Sequence, residues 1–382
     1  MTVDHDEVVR RVAAIAPGLA SRTAACDEQR SVVDESLRVM ADAGLFRVPQ
    51  PGAVGGYELP LRTLGAAVTG VSRACPASGW VLMVMGAHHW CMGVFPSEAQ
   101  EAVFGDGRDG LVAGTLSWQG GAEPVAGGYR VNGRWQFCSG VDQSQWVMLG
   151  CAEPGTAIPR VHVVVPREDV EIDDTWHVMG LQGTGSKDVV ARDVFVPAAH
   201  AVETRLMFNG ASPYREAHAT NLYRLSAEAM LCMSVSTAVL GSAQFALDAF
   251  IERTRERKVV NTGASKAEHV PTQVRLAEAS AEICTAHLLQ QDVYDEFDRL
   301  VASGERFAPD HKVWARWQVS YAAELCRRAV TRLYSASGAH GVYTTSALQR
   351  AFRNIHVGAQ HASLDLDSGA EQYGRQLLQS AG

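Results

Sequence analysis

Lysine is scarce in these 382 residues, metal-type cysteine spacing is missing, and no long apolar run interrupts the chain. Lysine occupies only Lys187, Lys258, Lys266 and Lys312, and acidic side chains outnumber Lys plus Arg by 42 to 34, for a formal charge of -8. A surface of that sign repels polyanions, so no nucleic-acid partner is expected. The longest basic run, Arg253-Thr254-Arg255-Glu256-Arg257-Lys258, reads as a helix end or a local phosphate site. Cys26, Cys75, Cys91, Cys138, Cys151, Cys232, Cys284 and Cys326 are scattered, without CxxC or a Cys/His pattern. They read as buried thiols of a reducing compartment, with neither metal nor disulfide expected. The first thirty residues carry Asp4, Asp6, Glu7 and Arg10, and no later stretch reaches the roughly 20 uninterrupted apolar residues of a membrane span. A cytoplasmic protein with no membrane partner is the expectation. Walker sequences, GxSxG elbows, HExxH and a strand-GxGxxG-helix unit are also missing, which argues against the activities those motifs carry.

What is present divides by texture. With 47% hydrophobic residues the chain can bury a large core in two or three units. Residues 1–109 read as helical: Val8, Val12, Ile15 and Leu19 mark one apolar face, Val33, Leu37, Met40 and Leu45 another, with Gly44 as a stop. Leu61 to Val71 and Ala77 to Val94 read as buried helices. Residues 110–205 change to short alternating runs between glycine pairs, with Asn132-Gly133 as a hairpin turn signal. Residues 206–382 return to helical spacing over Leu225 to Arg255, Pro271 to Ser303, His311 to Ser337 and Thr345 to about Leu378. The fold class is therefore mostly α with a small β domain, ending in a four-helix bundle whose leftover apolar face favours oligomers.

The tail holds the densest chemistry. Arg350-Ala351-Phe352-Arg353 and His361 follow the turn Ser337-Gly338-Ala339-His340-Gly341. On one continuous helix Arg353 and His361, eight apart, face the same way, setting an anion site and a titratable base on one face.

This order of helices, small β domain and bundle resembles the acyl-CoA dehydrogenase fold, with its N-terminal helical domain, central β-barrel-like domain and C-terminal four-helix bundle. Arg134-Trp135-Gln136-Phe137-Cys138-Ser139-Gly140 resembles the strand whose hydroxyl residue bonds the flavin, and Gly180-Leu181-Gln182-Gly183-Thr184-Gly185-Ser186 its glycine-rich loop. Gly338 to Gly341 with Leu348-Gln349-Arg350 is similar to the turn and helix that reach a neighbouring subunit's cofactor. The dehydrogenases place a catalytic glutamate nine residues after the arginine corresponding to Arg353, where this chain has Ala362, preceded by His361. His361 instead matches the histidine of the two-component flavin monooxygenases, and Ser78-Gly79-Trp80, Trp90 with Phe95-Pro96, and Trp146 look most like the aromatic hydroxylases.

The resemblance implies reduced flavin, FMNH2 or FADH2, delivered by a separate NAD(P)H-flavin reductase, no metal, a small-molecule substrate and a homotetramer. It implies a C4a-hydroperoxyflavin sheltered from water, which hydroxylates an aromatic, phenolic or polyketide-like substrate. His361 and Ser139 are the implied catalytic residues, His361 as base. Trp80, Ser117, Ser139, Gly140, Val141, Arg253, Gly338 and Arg353 are the implied flavin contacts, and His88, His89 and Trp118 the implied substrate pocket. Each has a plainer reading: Ser139 as a turn residue, His361, His88 and His89 as core histidines, Trp118 as interdomain filler, Arg253 as a helix C-terminal cation. Amino-sugar N-oxygenation, sulfur oxygenation and acyl-CoA dehydrogenation are same-fold alternatives, and a non-catalytic helical assembly is one of another class.

Overall fold

Asp4 accepts the Glu7 amide at 2.8 Å and so caps the first helix, α1 (His5–Ser21). The computed structural model describes residues 3–105, 110–258, 263 and 265–380; the expected domain boundary at 109 lies outside the described residues. Helices α2 (Thr23–Gln29), α3 (Asp34–Asp42), α4 (Leu61–Ala74), α5 (Pro76–Met92) and α6 (Ser97–Phe104) follow, and Gly44 turns the chain after α3 in the left-handed region. Every residue of α5 except Val84 is buried. A helix apolar on all sides belongs inside the protein, and α5 packs against α4, the first strand and a long later helix.

Strands β1 (Val112–Val125), β2 (Gly128–Cys138), β3 (Trp146–Ala152), β4 (Pro159–Pro166), β5 (Glu171–Asp173), β6 (Lys187–Pro197) and β7 (Ala201–Glu203) form one sheet in the order β5-β6-β2-β1-β3-β4-β7. The hairpin turn expected at Asn132-Gly133 is instead at Ala126-Gly127, where Val125 pairs with Gly128. Asn132-Gly133 lies inside β2, at a register shift against β6. The reason is packing. A Cβ on Gly133 would come 2.6 Å from the Gly120 Cα and 3.2 Å from the Trp135 ring, so glycine here makes room for a buried indole rather than for a turn. Trp135 donates its Nε1–H to the Gly150 carbonyl at 2.6 Å.

After α7 (Thr204–Phe208) come α8 (Ala227–Glu256), α9 (Val270–Ser303), α10 (Pro309–Ala336), α11 (Ala347–Gly358) and α12 (Leu366–Ser380). Among the described residues only α8 is long and apolar enough to cross a membrane, and 78% of its most apolar window is buried within the protein. It is the central core helix, touching α4, α5, α9, α10 and α11. The fourth expected bundle helix is two helices: α11 stops at Gly358, and Asp365 accepts the Ser368 amide at 2.8 Å to start α12. His361 sits in the break.

Candidate active site

Three segments meet around Ser139. Helix α5 brings Trp80, because Gly79 lets α4 approach so closely that a Cβ there would lie 1.9 Å from Ser72 Oγ. The end of β2 turns sharply through two left-handed residues, Phe137 (φ 65) and Gly140 (φ 73), with Ser139 between them. The loop before β6 has two more, Leu181 (φ 53) and Gly185 (φ 54). Left-handed backbone at a phenylalanine and a leucine costs about 1–3 kcal/mol each, and here the neighbours hold it. The Ser139 amide donates to Phe137 O and the Gly140 amide to Thr184 O, each at 2.9 Å. Lys187 bridges to Asp142 at 3.0 Å.

The stitched segments align a buried chain of polar groups. Trp80 Nε1–H donates to Ser139 Oγ at 3.2 Å, Ser139 Oγ lies 2.7 Å from Ser186 Oγ, and Ser186 lies 2.6 Å from Thr184 Oγ1. Thr184 ends the chain by donating to Leu181 O at 2.8 Å. Gly140 sits in the left-handed region that favours glycine, and a Cβ there would come 2.9 Å from Val81 Cγ1 and 2.7 Å from the mobile Met85 Cε. Val141, an expected flavin contact, is wholly buried, backbone included.

The His361 ring lies 6.1 Å from the Trp80 ring. Ser139, Trp80 and His361 are thus brought together, as expected, but not by a continuous helix. Gly358 ends α11 tightly against the Trp80 ring, 3.3 Å from where its Cβ would stand. Burial alone pushes the imidazole down to about 4. The Ser363 amide donates to its Nδ1 at 3.2 Å, so the neutral ring carries its hydrogen on Nε2. The expected base is therefore wired as a donor: accepting a proton at Nδ1 would cost the Ser363 hydrogen bond.

Arg353 does not share a face with His361. It straps the glycine-rich loop to α11, bonding Met179 O, Gln182 Oε1 at 3.2 Å and Gln349 Oε1 at 2.9 Å. Gly180 could bear no side chain there, and Leu181 N–H reaches Asn354 Oδ1 at 2.7 Å. A cavity of about 540 Å³ opens beside this strap, lined by Asp27, Met179, Gln182, Gln349, Arg350 and Arg353. A second of about 440 Å³ lies behind the helix break, among Glu324, Arg327, His356, Gln360 and Asp365.

Arg253 and Gly338 form a separate corner. Arg253 Nη1 donates to Ser346 Oγ at 3.5 Å, its buried Nε has no partner, and burial beside Arg257 lowers its proton affinity. Arg257, which sequence reasoning named only within its run, donates to Ser337 O at 2.5 Å, next to Gly338 with φ 72. A half-buried guanidinium with an unpartnered Nε–H and no described carboxylate beside it suits a phosphate.

The remaining candidates lie elsewhere. Ser117 and Trp118 occupy an exposed bulge of β1, where the partners are Thr115 Oγ1 and the Phe208 ring. His89 is a core residue packed on Phe46 and Phe104, not a pocket wall, with Nδ1–H donated to Phe46 O at 3.0 Å. His88 likewise clamps Val112 O at 3.0 Å, and His162, unnoticed in the sequence, joins Leu116 O to Thr204. Burial holds these three rings down to about 4 for His88, 3 for His89 and 4 for His162. Unfolded imidazoles protonate near pH 6.5 while the folded ones stay neutral, so stability is full above that pH and falls as pH drops toward 4. Thermal melts should show Tm declining below pH 6.5, each ring losing up to about 1.4 kcal/mol per pH unit. A Tm independent of pH from 7 to 4.5 would contradict the burial.

The comparisons agree with this geometry. Residues 2–104 match the family model "Acyl-CoA dehydrogenase, N-terminal domain" and residues 233–366 match "Acyl-CoA dehydrogenase, C-terminal domain". The chain is 33% identical to a flavin-dependent monooxygenase, oxygenase subunit HsaA, of Rhodococcus jostii, over 96% of this chain and 97% of that one. It is 30% identical to an FADH2-dependent resorcinol hydroxylase, oxygenase component, of a Rhizobium species, over 99% and 95%. The crystal structure of a 3-HSA hydroxylase from Rhodococcus sp. RHA1 superposes with a TM-score of 0.92 at 32% identity, covering 98% of each chain. With this likeness running over nearly the whole of each sequence, the chain belongs to the oxygenase components of the flavin-dependent monooxygenases, within the acyl-CoA dehydrogenase fold.

Proposed function

We propose that the chain hydroxylates an aromatic, phenolic substrate as the oxygenase partner of a separate NAD(P)H-flavin reductase. One observation carries this reading: His361, held neutral with a hydrogen on Nε2, lies 6.1 Å ring to ring from Trp80, the residue bonded to Ser139, and no carboxylate lowers or raises its proton affinity. A desaturating enzyme needs a strong base at that place. Reduced flavin, when bound, supplies the electrons that activate O2, one oxygen atom going to the substrate and the other to water. The chain's own residues bind and orient it: Ser139 offers a hydroxyl and Gly140 a close backbone approach, while Arg253, with Gly338, supplies a phosphate corner compatible with FMN or FAD. Buried Trp80, Val81 and Met85 keep that wall dry. Ser117 and Trp118 stand on the bulge where a substrate ring or a neighbouring subunit would cover them, and Arg353 lines the cavity beside the loop. His88 lies behind this wall, holding β1.

A homotetramer is supported by exposed apolar side chains on α9 (Val270, Val274, Leu288) and α12 (Leu377, Leu378). Eight free thiols support the cytoplasm as the compartment.

The reading is tested by purifying the chain, recording its colour, and mixing its anaerobic complex with reduced FMN or FAD against oxygen in a stopped-flow spectrometer. The expected result is a colourless protein that binds reduced flavin, consumes oxygen and hydroxylates a phenol. A yellow protein that ignores oxygen and accepts electrons from an acyl thioester would overturn it.

A further inference from the structure

The polar chain at Ser139 runs in one direction. Thr184 spends its hydroxyl hydrogen on Leu181 O at 2.8 Å, so toward Ser186 it can only accept. Ser186, its own hydrogen spent on Thr184, can only accept from Ser139 at 2.7 Å. Trp80 Nε1–H, a pure donor, fills one lone pair of Ser139. One lone pair is left on Ser139, and no hydrogen. Ser139, Ser186 and Thr184 are all buried, so no bulk water rewires them.

We propose that Ser186 and Thr184 are specificity-determining residues for flavin redox state, fixing Ser139 as an acceptor that favours the N5–H of a reduced flavin over the bare N5 of an oxidised one. The preference presupposes the flavin reading above, with Ser139 at the ring. To donate to a bare N5, Ser139 must accept from Ser186 and Ser186 from Thr184, and Thr184 must leave Leu181 O. That carbonyl keeps the Trp176 Nε1–H at 3.0 Å and the Thr184 amide at 3.1 Å, so reversal loses one internal hydrogen bond and orphans nothing. One neutral hydrogen bond corresponds to about a fivefold preference.

The test is the ratio of dissociation constants for oxidised and reduced flavin, measured anaerobically by ultrafiltration with FMN and with FAD. Thr184→Val leaves Ser186 no acceptor but Ser139, which frees the Ser139 hydrogen for a bound flavin; the ratio should fall about fivefold, or about 20 mV in the potential of bound flavin at 29.6 mV per tenfold. Ser186→Ala frees the same hydrogen and should act in the same direction. Thr184→Ser, which keeps the hydroxyl, should restore the wild-type ratio. If Thr184→Val does not fold, Ser186→Ala decides alone. Reduced flavin bound normally with an unmoved ratio in the folded variants overturns the proposal and leaves the function standing. Failure of the wild-type protein to bind either flavin in either state overturns both.

Discussion

Ser139→Ala is expected to divert most turnovers from product to free hydrogen peroxide while the protein still binds reduced flavin and consumes oxygen. The hydroxyl lies between Trp80 and Ser186, 3.2 and 2.7 Å away, and alanine removes the acceptor that this chain aims at the ligand. Loss of one pre-aimed hydrogen-bonding group in a dry site costs a factor of roughly a hundred in the step that it serves. Product formed per flavin oxidised should drop at least tenfold on that scale. The same change orphans a buried indole N–H, so stability should fall by about 1–3 kcal/mol. Oxygen uptake, peroxide and hydroxylated product measured together decide the matter, with a melt as the control for folding. Unchanged coupling in a folded variant removes Ser139 from the site.

His361 gives the second large effect, and two replacements separate its possible roles. Alanine abolishes the Nε2 donor and should slow product formation by about a hundredfold, the usual scale for a positioned proton donor, with flavin oxidation much less affected. Asparagine can accept the Ser363 amide with its carbonyl and offer its NH2 at the ring's Cδ2 position, one bond short of Nε2–H, so it should retain more product formation than alanine. Equal loss in both variants would restore the role of base. Equal slowing of flavin oxidation and of product formation would exclude His361 from oxygen transfer altogether. The pH profile adds an independent reading. With its pKa pushed down to about 4, His361 stays neutral and keeps its donor from pH 5 upward, so no activity limb near 6.5 should belong to it. A limb at 6.5 that vanishes in His361→Asn would contradict the burial.

Much of this was legible in the chain because local signals and global packing agreed. The 3.6-residue periods of the first hundred and last hundred and seventy residues gave helices, and the change of texture near Gly110 marked the sheet. The segments Trp135 to Gly140 and Gly180 to Ser186 were found by their glycine and hydroxyl pattern, and the structure stitches them edge to edge. Where reading failed, a short-range rule met a long-range contact. Asn132-Gly133 has the chemistry of a turn, yet the Trp135 indole claims the space over Gly133. The terminal helix kept its apolar period through 359–365, although Gly358 followed by an Asp365 cap was a usable stop signal. The partners of Arg353 could not be read at all, since Met179 and Gln182 lie more than 170 residues earlier.

The sequence by itself determined the fold class, the hydroxyl, indole and imidazole that meet at the site, and the lack of a carboxylate where a desaturase keeps one, because residue identity and apolar period are local properties. Only the tertiary structure decided what those groups do. The hydrogen on His361 is placed by the Ser363 amide across a helix break, and the hydrogen on Ser139 by Ser186 and Thr184 from the glycine-rich loop before β6. Proton position depends on which partner lies within about 3 Å, and that distance exists only after the chain has folded.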